Sequence, residues 1–401
     1  MLSDALVDPD ALTARFERLD ALLHHWRDYW QLRPFHWLDH PWRDRHPALV
    51  AWLESLDEAA LDRLDADPPA LAQALQPFVP EAGTLIALCE IPAAAPPPTL
   101  PQRLGRHVPG RKWAQVRAFA AALGDCDLPV LEWCAGKGHL GRLLAGYYGR
   151  PVLSLERDPL LCEAGQALAG DDGRQHFAAV DVLGDGVPLA AAQQVVALHA
   201  CGELHQHLLR VAAATGIRSL AVAPCCYHRI PHDVYRPLSL QAVRHSPLRL
   251  ARADLQLPLQ EQVTGGVRIR RLREREVVWR LGFDLLQREL TGKDRYRPVP
   301  NVRGALLNRD FAAFCRWAAA VKGLDMPADC DFAHYEARGR DRRRLVRRIG
   351  LVRHLFRRPL ELWLLLDRAL FLQERGYRVG LQRFCDRRLT PRDLLLQASR
   401  R

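Results

Sequence analysis

The sequence lacks any uninterrupted run of about 18 or more apolar residues, although 48% of its 401 residues are hydrophobic. A membrane-spanning helix needs about 20 mostly apolar residues, so no transmembrane segment is predicted. The first residues, Met1-Leu2-Ser3-Asp4, also lack the basic start and apolar stretch of a secretory signal. We therefore expect a globular, cytoplasmic protein with no membrane partner.

Cysteine pairs at CxxC spacing are also absent, although the chain has ten cysteines. Zinc-binding modules commonly use such pairs, and disulfide frameworks belong mainly to small, secreted, loop-rich domains. Several of these cysteines lie inside apolar, strand-like runs. The sequence therefore predicts reduced thiols and no metal site.

Lysine is scarce, since it supplies four of the 57 basic residues, and the net charge of +11 is unevenly distributed. Residues 1–100 contain 7 basic and 16 acidic residues, residues 101–334 contain 31 and 23, and residues 335–401 contain 19 and 7. A basic half suits a polyanion, because phosphate contacts supply most sequence-independent affinity for nucleic acids. RNA is the predicted partner of this half, although arginine enrichment from genome composition would give the same totals.

Changes in pattern divide the chain into four parts. Helical spacing of apolar residues in 1–100 predicts an acidic all-α domain, which ends in a proline-rich linker at 91–103. Residues 101–228 alternate short apolar runs with helices, which predicts a parallel sheet with crossover helices. Residues 229–355 predict a mainly helical insertion, and 356–401 a helix and two strands that complete the sheet.

The predicted fold is therefore α/β, with a Rossmann-like sheet. The predicted strands are Leu128–Trp133, Val152–Glu156, Gln175–Val180, Gln194–His199, Ser219–Ala223, Arg378–Phe384 and Asp393–Ala398.

A glycine-containing loop lies between the first predicted strand and the next helix, in the segment LEWCAGKGHL. Gly136 and Gly138 allow the backbone to turn tightly and to approach a ligand closely. The helix that begins near His139 presents free N–H groups to an anionic or polar ligand. A lone G-x-G also occurs in structural turns, and Cys134 stands where the first glycine of a dinucleotide motif would be.

Acidic residues follow each of the first three strands. Glu156 ends the second strand, where a carboxylate accepts hydrogen bonds from ribose hydroxyls. Asp181 follows the third strand, where an acceptor can meet an adenine amino group. The predicted cofactor-binding residues are Glu132, Cys134, Ala135, Gly136, Gly138, His139, Leu140, Glu156, Arg157, Asp181, Val182 and His199.

The segment 132–144, EWCAGKGHLGRLL, resembles motif I of the class I S-adenosylmethionine-dependent methyltransferases. In that family the acidic residue at the strand end contacts the methionine amino group of the cofactor, and the glycine loop passes under it. The resemblance implies a seven-stranded Rossmann-like sheet and S-adenosylmethionine as the cofactor.

Two further segments narrow the resemblance. Together with GKGHL, the segments LHACG at 198–202 and PCCYH at 224–228 resemble a subgroup of methyltransferase-like and glutathione S-transferase C-terminal-domain-containing proteins, and of tRNA 2′-O-methyltransferases. The segment from Leu366-Asp367-Arg368 to Thr390-Pro391-Arg392-Asp393 is similar to the C-terminal end of the methyltransferase-like members. The resemblance covers roughly 111–228 and 360–401.

The residues after the fourth and fifth strands are candidates for the acceptor site, because ligands bind at the carboxyl ends of strands in parallel sheets. The predicted catalytic residues are His199, Cys225, Tyr227 and His228. Either histidine could accept a proton from a hydroxyl acceptor, and Tyr227 could stack on the acceptor. The Cys225 side chain could instead only pack in the core, or it could act as a covalent nucleophile. A metal site formed by Cys201, Cys225, Cys226 and His228 is disfavoured, because adjacent cysteines are poor tetrahedral ligands.

Arginine clusters at 342–344, 347–348 and 357–358 predict either an RNA-binding face or a solvated helix face. The resulting hypothesis is an S-adenosylmethionine-dependent methyltransferase whose acceptor is RNA, with tRNA as the first candidate. The alternative is a non-catalytic RNA- or ribosome-binding protein that retains the fold.

Overall fold

The computed structural model describes residues 8–170, 173–184, 186–260, 266–302 and 304–400. They form two compact units. Unit 1 takes in the first 25 residues, Leu85–Val263 and Arg357–Arg401. Unit 2 takes in Trp26–Thr84 and Thr264–Phe356. None of the described helices is both long and apolar enough to cross a membrane.

A seven-stranded sheet forms the centre of unit 1, which confirms the predicted fold class. The strands are β1 (Val130–Glu132), β2 (Val152–Glu156), β3 (Gln175–Ala179), β4 (Gln194–Cys201), β5 (Ser219–Cys225), β6 (Arg378–Arg383) and β7 (Leu394–Ser399). Their order is β3-β2-β1-β4-β5-β7-β6. Strands β1 to β5 are parallel to one another, whereas β7 is antiparallel to both β5 and β6. The carboxyl ends of β1 to β5 therefore lie along one edge of the sheet.

Helices cover the sheet because apolar side chains line its faces. The helices of this unit include α1 (Pro9–His25), α7 (Gly110–Ala122), α8 (His139–Gly146), α9 (Pro159–Ala169), α10 (Glu203–Thr215), α11 (Leu240–His245) and α16 (Arg357–Gln373), and α6 (Ala82–Ala87) lies at the border of the two units. Phe119 of α7 and Leu143 of α8 pack with Val196 of β4 in one apolar cluster. Helix α1 packs on α16, where the Trp363 indole N–H donates to Asp20 at 2.8 Å.

Unit 2 is helical. Its helices are α2 (Arg27–Trp30), α3 (Pro47–Ser55), α4 (Glu58–Ala66), α5 (Pro68–Leu75), α12 (Val267–Thr291), α13 (Gly304–Leu307), α14 (Phe311–Lys322) and α15 (Phe332–His354). The long helices α12 and α15 approach closely because glycines face each other: a Cβ on Gly339 would lie 2.4 Å from the Val278 carbonyl oxygen. Phe283, Phe314 and other apolar side chains fill its core.

This division differs from the predicted domains. The segment 1–100 was predicted as one helical domain, yet α1 belongs to unit 1 and α2 to α5 belong to unit 2. The predicted insertion 229–355 is divided in the same way, near residue 263. Contacts between residues far apart in the chain decide the grouping, and they leave no local signal in the sequence.

The proline-rich segment 91–103 has no helix or strand before a 3-10 helix begins at Gln102, and it is hydrogen-bonded to the sheet. The Ala94 N–H donates to the Arg383 carbonyl at 2.8 Å, and the Arg383 N–H donates to the Pro92 carbonyl at 2.7 Å. Since β6 is an edge strand, this short pairing covers part of an otherwise open edge.

A buried polar network joins α16 to the elements around β5. Asp367 accepts hydrogen bonds from the Tyr235 hydroxyl at 2.5 Å and from the Ser239 N–H at 2.9 Å. Arg368 donates to His205 Nε2 at 2.9 Å, and its guanidinium lies 4.9 Å from the Tyr227 ring centroid. The Asp367-Arg368 pair therefore has a structural role beneath the strand ends.

Candidate active site at the carboxyl ends of the strands

The loop after β1 has a backbone shape that leaves room for a ligand. Cys134, Gly136 and Gly138 all have positive φ, at 55°, 59° and 59°. The Ala135 N–H donates to the Leu155 carbonyl at 2.8 Å, which ties the loop to β2. A Cβ built on Gly136 would meet no atom within 4 Å, whereas one on Gly138 would lie 2.3 Å from the Phe177 ring. The loop is thus packed at Gly138 and open at Gly136.

Glu156 lies beside the open part of this loop. Its Oε2 atom accepts a hydrogen bond from the Gly136 N–H at 2.9 Å, and Oε1 accepts from the Arg157 N–H at 2.9 Å. Asp181 is exposed and accepts from the Leu183 N–H at 3.1 Å, while Val182 is buried. The two carboxylates therefore lie at the carboxyl ends of β2 and β3, on the edge where ligands bind in parallel sheets.

Glu132 is buried below the loop. Its Oε2 atom accepts a hydrogen bond from the Ser154 hydroxyl at 2.7 Å, and a Cβ on Gly141 would lie 2.5 Å from that oxygen. Burial raises the pKa of this carboxyl to about 7, an effect that the Ser154 hydrogen bond partly offsets. The structure thus places Glu132 against Ser154 and the first turn of α8, which it anchors.

His139 and Leu140 begin α8 and are both buried. Burial lowers the pKa of His139 to about 4, and the positive charges of Lys112 and Arg142 act in the same direction. The imidazole is therefore neutral near pH 7. Its Nδ1 atom is buried without a hydrogen-bond partner.

At the end of β4, His199 adopts a positive φ of 65° within a register shift between Leu198 and Cys201. Its Nε2 atom lies 2.8 Å from Gln115 Oε1, so the amide of α7 fixes the ring. Burial lowers the pKa of His199, which favours the neutral imidazole. Gln115 was not predicted, because it lies 84 residues away and no local pattern marks it.

The loop after β5 is packed closely against the start of α10. The Gly202 N–H donates to the Cys225 carbonyl at 3.1 Å, and the Glu203 N–H donates to the Arg229 carbonyl at 2.8 Å. A Cβ built on Gly202 would lie only 2.0 Å from the Arg229 carbonyl oxygen. No side chain other than hydrogen fits at that position.

Cys201, Cys225 and Cys226 form a thiol cluster at the ends of β4 and β5. The Cys201 and Cys225 sulfur atoms are 3.4 Å apart, and all three sulfurs lie within 4.8 Å of one another. Hydrogen bonds from Cys201 and Cys225 lower the pKa of Cys226, and the contacts of Cys225 with Cys201 and Cys226 raise the pKa of Cys225. One sulfur of the cluster therefore carries negative charge more readily than an isolated thiol.

The other two predicted acceptor residues, Tyr227 and His228, differ in their burial. Tyr227 is fully buried, with its ring between His205 and Arg368, so it packs beneath the site and cannot stack on a bound acceptor in this arrangement. His228 is half-buried, and its Nδ1 atom has no hydrogen-bond partner. His199 and His228 are thus the predicted groups that remain for contact with an acceptor.

Most of the predicted arginine face is engaged within the protein. Arg342, Arg357 and Arg358 are buried, so the prediction of an RNA-binding face is wrong for these three. Arg342 donates to Asp284 at 2.6 Å, and Arg358 lies 2.9 Å from Asp393. The physical reason is that a buried guanidinium needs a compensating partner, and Arg342 and Arg358 each have a carboxylate.

An arginine groove nevertheless remains on unit 2, with a volume of about 610 Å³. It is lined by six arginines and three acids: Arg271, Arg275, Arg340, Arg343, Arg344, Arg347, Glu58, Asp62 and Glu274. Arg343 and Arg347 pair with Glu58, Arg344 pairs with Asp341 at 2.8 Å, and Arg340 pairs with Glu336 at 3.8 Å. The side chains of Arg271, Arg340 and Arg344 are nevertheless exposed to solvent. The lining therefore carries an excess of positive charge.

The site combines parallel strands with a glycine loop and with carboxylates after β2 and β3. These features are typical of an α/β protein that binds a nucleotide-like ligand at the strand ends. A family model described as a methyltransferase domain matches residues 111–233. No curated protein matches the chain. Among solved structures the chain is similar to that of the 23S rRNA methyltransferase ErmE, at 16% identity and a TM-score of 0.24, over 50% of this chain and 97% of that chain.

The matched segment contains β1 to β5 and every residue predicted for the cofactor and acceptor sites. This match makes residues 111–233 a methyltransferase domain, with S-adenosylmethionine as its methyl donor, as the motif resemblance implied.

Proposed function

We propose that this methyltransferase transfers the methyl group to RNA, with tRNA as the first substrate to test. S-adenosylmethionine supplies an electrophilic methyl group when it is bound. The protein then has to hold the donor and the acceptor in line and to exclude water, since correct positioning accounts for much of the rate enhancement of such a transfer.

The predicted cofactor residues fit this donor. The space beside Gly136 is open, so the loop can lie against a ligand there. Among the described residues, the Glu156 carboxylate accepts hydrogen bonds from backbone N–H groups alone, which leaves lone pairs for ribose hydroxyls. Asp181 and Val182 would border the adenine, and Cys134, Ala135 and Arg157 the rest of the donor.

The acceptor would lie near His199 and His228. Gln115 holds the His199 ring, and burial favours its neutral form. A neutral imidazole can accept a proton from a ribose hydroxyl, which is the chemistry of a 2′-O acceptor. Tyr227 is buried and therefore has no place in the proposed acceptor site. Cys225 has no nucleophilic role, because the pKa of its thiol is raised.

The arginine groove is the observation that carries the choice of RNA. Its six arginines face three acids, and Arg271, Arg340 and Arg344 are exposed to solvent. A guanidinium can bind a phosphate through two parallel hydrogen bonds, so such a groove suits a phosphate backbone.

The cytoplasmic location stays a prediction.

The cofactor site is tested by calorimetric titration with S-adenosylhomocysteine. Glu156→Ala is expected to weaken binding about tenfold or more, because hydrogen bonds to a charged group contribute about 1.5–3 kcal/mol. Glu163→Ala removes an exposed carboxylate from the next helix and serves as the matched control. Equal affinity in the two variants would refute the placement of the ribose at Glu156.

The acceptor is tested with tritiated S-adenosylmethionine and separate pools of tRNA, ribosomal RNA and cellular protein. We expect incorporation into tRNA, and the double variant Arg271→Ala, Arg344→Ala is expected to weaken tRNA binding and to lower its salt dependence by one to two phosphate contacts. The control is Arg218→Ala, Arg378→Ala, which removes two exposed arginines of unit 1. Incorporation into protein alone would overturn the proposal.

A further inference from the structure

The thiol cluster has a geometry that methyl transfer to RNA does not require. Its three sulfur atoms lie within 4.8 Å of one another, and two of them are 3.4 Å apart. Sulfurs that share one tetrahedral zinc ion lie about 3.8 Å apart, given Zn–S bonds of about 2.3 Å. Within the described ranges no other group of three histidine, cysteine or acidic side chains converges so closely.

The adjacency of Cys225 and Cys226 does not prevent convergence. Neighbouring side chains of an extended strand point to opposite faces, which would separate the two sulfurs. Cys226 instead leaves β5 with a positive φ of 46°, and this turn lets its sulfur lie beside that of Cys225. The adjacency of the two cysteines would separate their sulfur atoms only if the backbone at Cys226 were extended.

A second backbone distortion brings in the third thiol. His199 has a φ of 65°, and the pairing of β4 with β5 shifts register between Leu198 and Cys201, so that Cys201 lies opposite Cys225. A non-glycine residue at positive φ costs about 1 kcal/mol or more. The convergence of the sulfurs therefore depends on two such residues, which is typical of functional sites.

We propose that the thiol cluster binds a thiophilic divalent metal ion, Zn²⁺, through the sulfur atoms of Cys201, Cys225 and Cys226. Each thiol would lose its proton to solvent as its bond to the ion forms. Three soft thiolates favour zinc over magnesium or calcium. The fourth position is left to water, since His228 does not belong to the group of side chains that converge there.

The test uses the full chain, purified with a phosphine reductant after growth with added zinc. Elemental mass spectrometry is expected to find close to one zinc per chain. After removal of the metal, Co²⁺ is expected to restore a thiolate-to-cobalt charge-transfer band in the near ultraviolet. Neither measurement involves cofactor or RNA, so a failure here is distinct from a failure of the proposed function.

Cys201→Ser and Cys226→Ser are each expected to lower the bound metal at least tenfold. Cys162→Ser and Cys315→Ser remove buried thiols outside the cluster and are expected to keep it. Metal retained by both cluster variants would overturn the proposal, as would a wild-type chain that takes up neither zinc nor cobalt. If a cluster variant fails to fold, the cobalt spectrum of the wild-type chain still decides between these outcomes.

Discussion

The loop after β1 and the loop after β5 end parallel strands on the same edge of the sheet, yet they differ in openness. Both contain a cysteine at positive φ, Cys134 in the first and Cys226 in the second. The first loop leaves open space at Gly136, whereas the second is packed so closely against Gly202, between β4 and α10, that Gly202 has no room for a Cβ. One loop is therefore shaped to receive a ligand, and the other to hold its own side chains in place.

The largest expected effect lies at Gly202, where the closed loop after β5 packs against the start of α10. Gly202→Ala would place a Cβ 2.0 Å from the Arg229 carbonyl at a φ of 54°, so the backbone has to move. We expect a loss of about 3 kcal/mol or more in the free energy of unfolding, from overpacking and left-handed strain together. Urea denaturation measures it, and Gly304→Ala, at an open position, is the control. A loss below about 1 kcal/mol would show that this loop is not closed.

A second prediction concerns the carboxyl that anchors the open loop. The pKa of Glu132 is raised from 4.5 to about 7, so the folded chain keeps a proton that the unfolded chain loses. Its contribution to stability is therefore lost as the pH rises from about 4.5 to about 7. Relative to Glu132→Gln, the wild-type chain is expected to lose up to about 3 kcal/mol over this range.

His139, at the start of α8, has the opposite effect on the pH dependence of stability. Its pKa is lowered from 6.5 to about 4, so its contribution to stability is present at neutral pH and is lost as the pH falls through that range. In the Glu132→Gln variant the effect of Glu132 is removed and that of His139 remains, so the free energy of unfolding should rise with pH. Urea denaturation without cofactor, at a series of pH values, measures both slopes, with exposed Glu163→Gln as the control. Parallel curves for wild type and Glu132→Gln would contradict the raised pKa.

A third prediction concerns Gly136. Gly136→Ala adds a methyl group to open space at a φ of 59°, so only left-handed strain opposes it. We expect a loss of about 1–2 kcal/mol in unfolding free energy, clearly less than at Gly202. The same methyl group would occupy the proposed cofactor space, so affinity for S-adenosylhomocysteine is expected to fall about tenfold or more, as the calorimetric titration would record. Unchanged affinity would place the cofactor elsewhere.

The comparison also shows what the sequence could predict. Strand positions and the glycine loop were predictable because apolar runs and glycines are local signals, and each of the seven strands starts within two residues of its predicted start. The positive φ values of Cys134, His199 and Cys226 were not, because nothing in a cysteine or histidine marks that conformation. The contact of Gln115 with His199 and the burial of Arg342 against Asp284 depend on partners far away in the chain.

The smallest expected effect tests whether Cys134 weakens the open loop. This residue stands where a dinucleotide motif has its first glycine, and it has a φ of 55°. Cys134→Gly would relieve left-handed strain of about 1 kcal/mol but would give the unfolded chain a similar amount of added freedom. We therefore expect a change in unfolding free energy within about 0.5 kcal/mol and an unchanged affinity for S-adenosylhomocysteine, with Cys126→Gly as the control. An affinity gain of tenfold would instead show that the cysteine side chain obstructs the cofactor, and the first loop would then be less open than its backbone indicates.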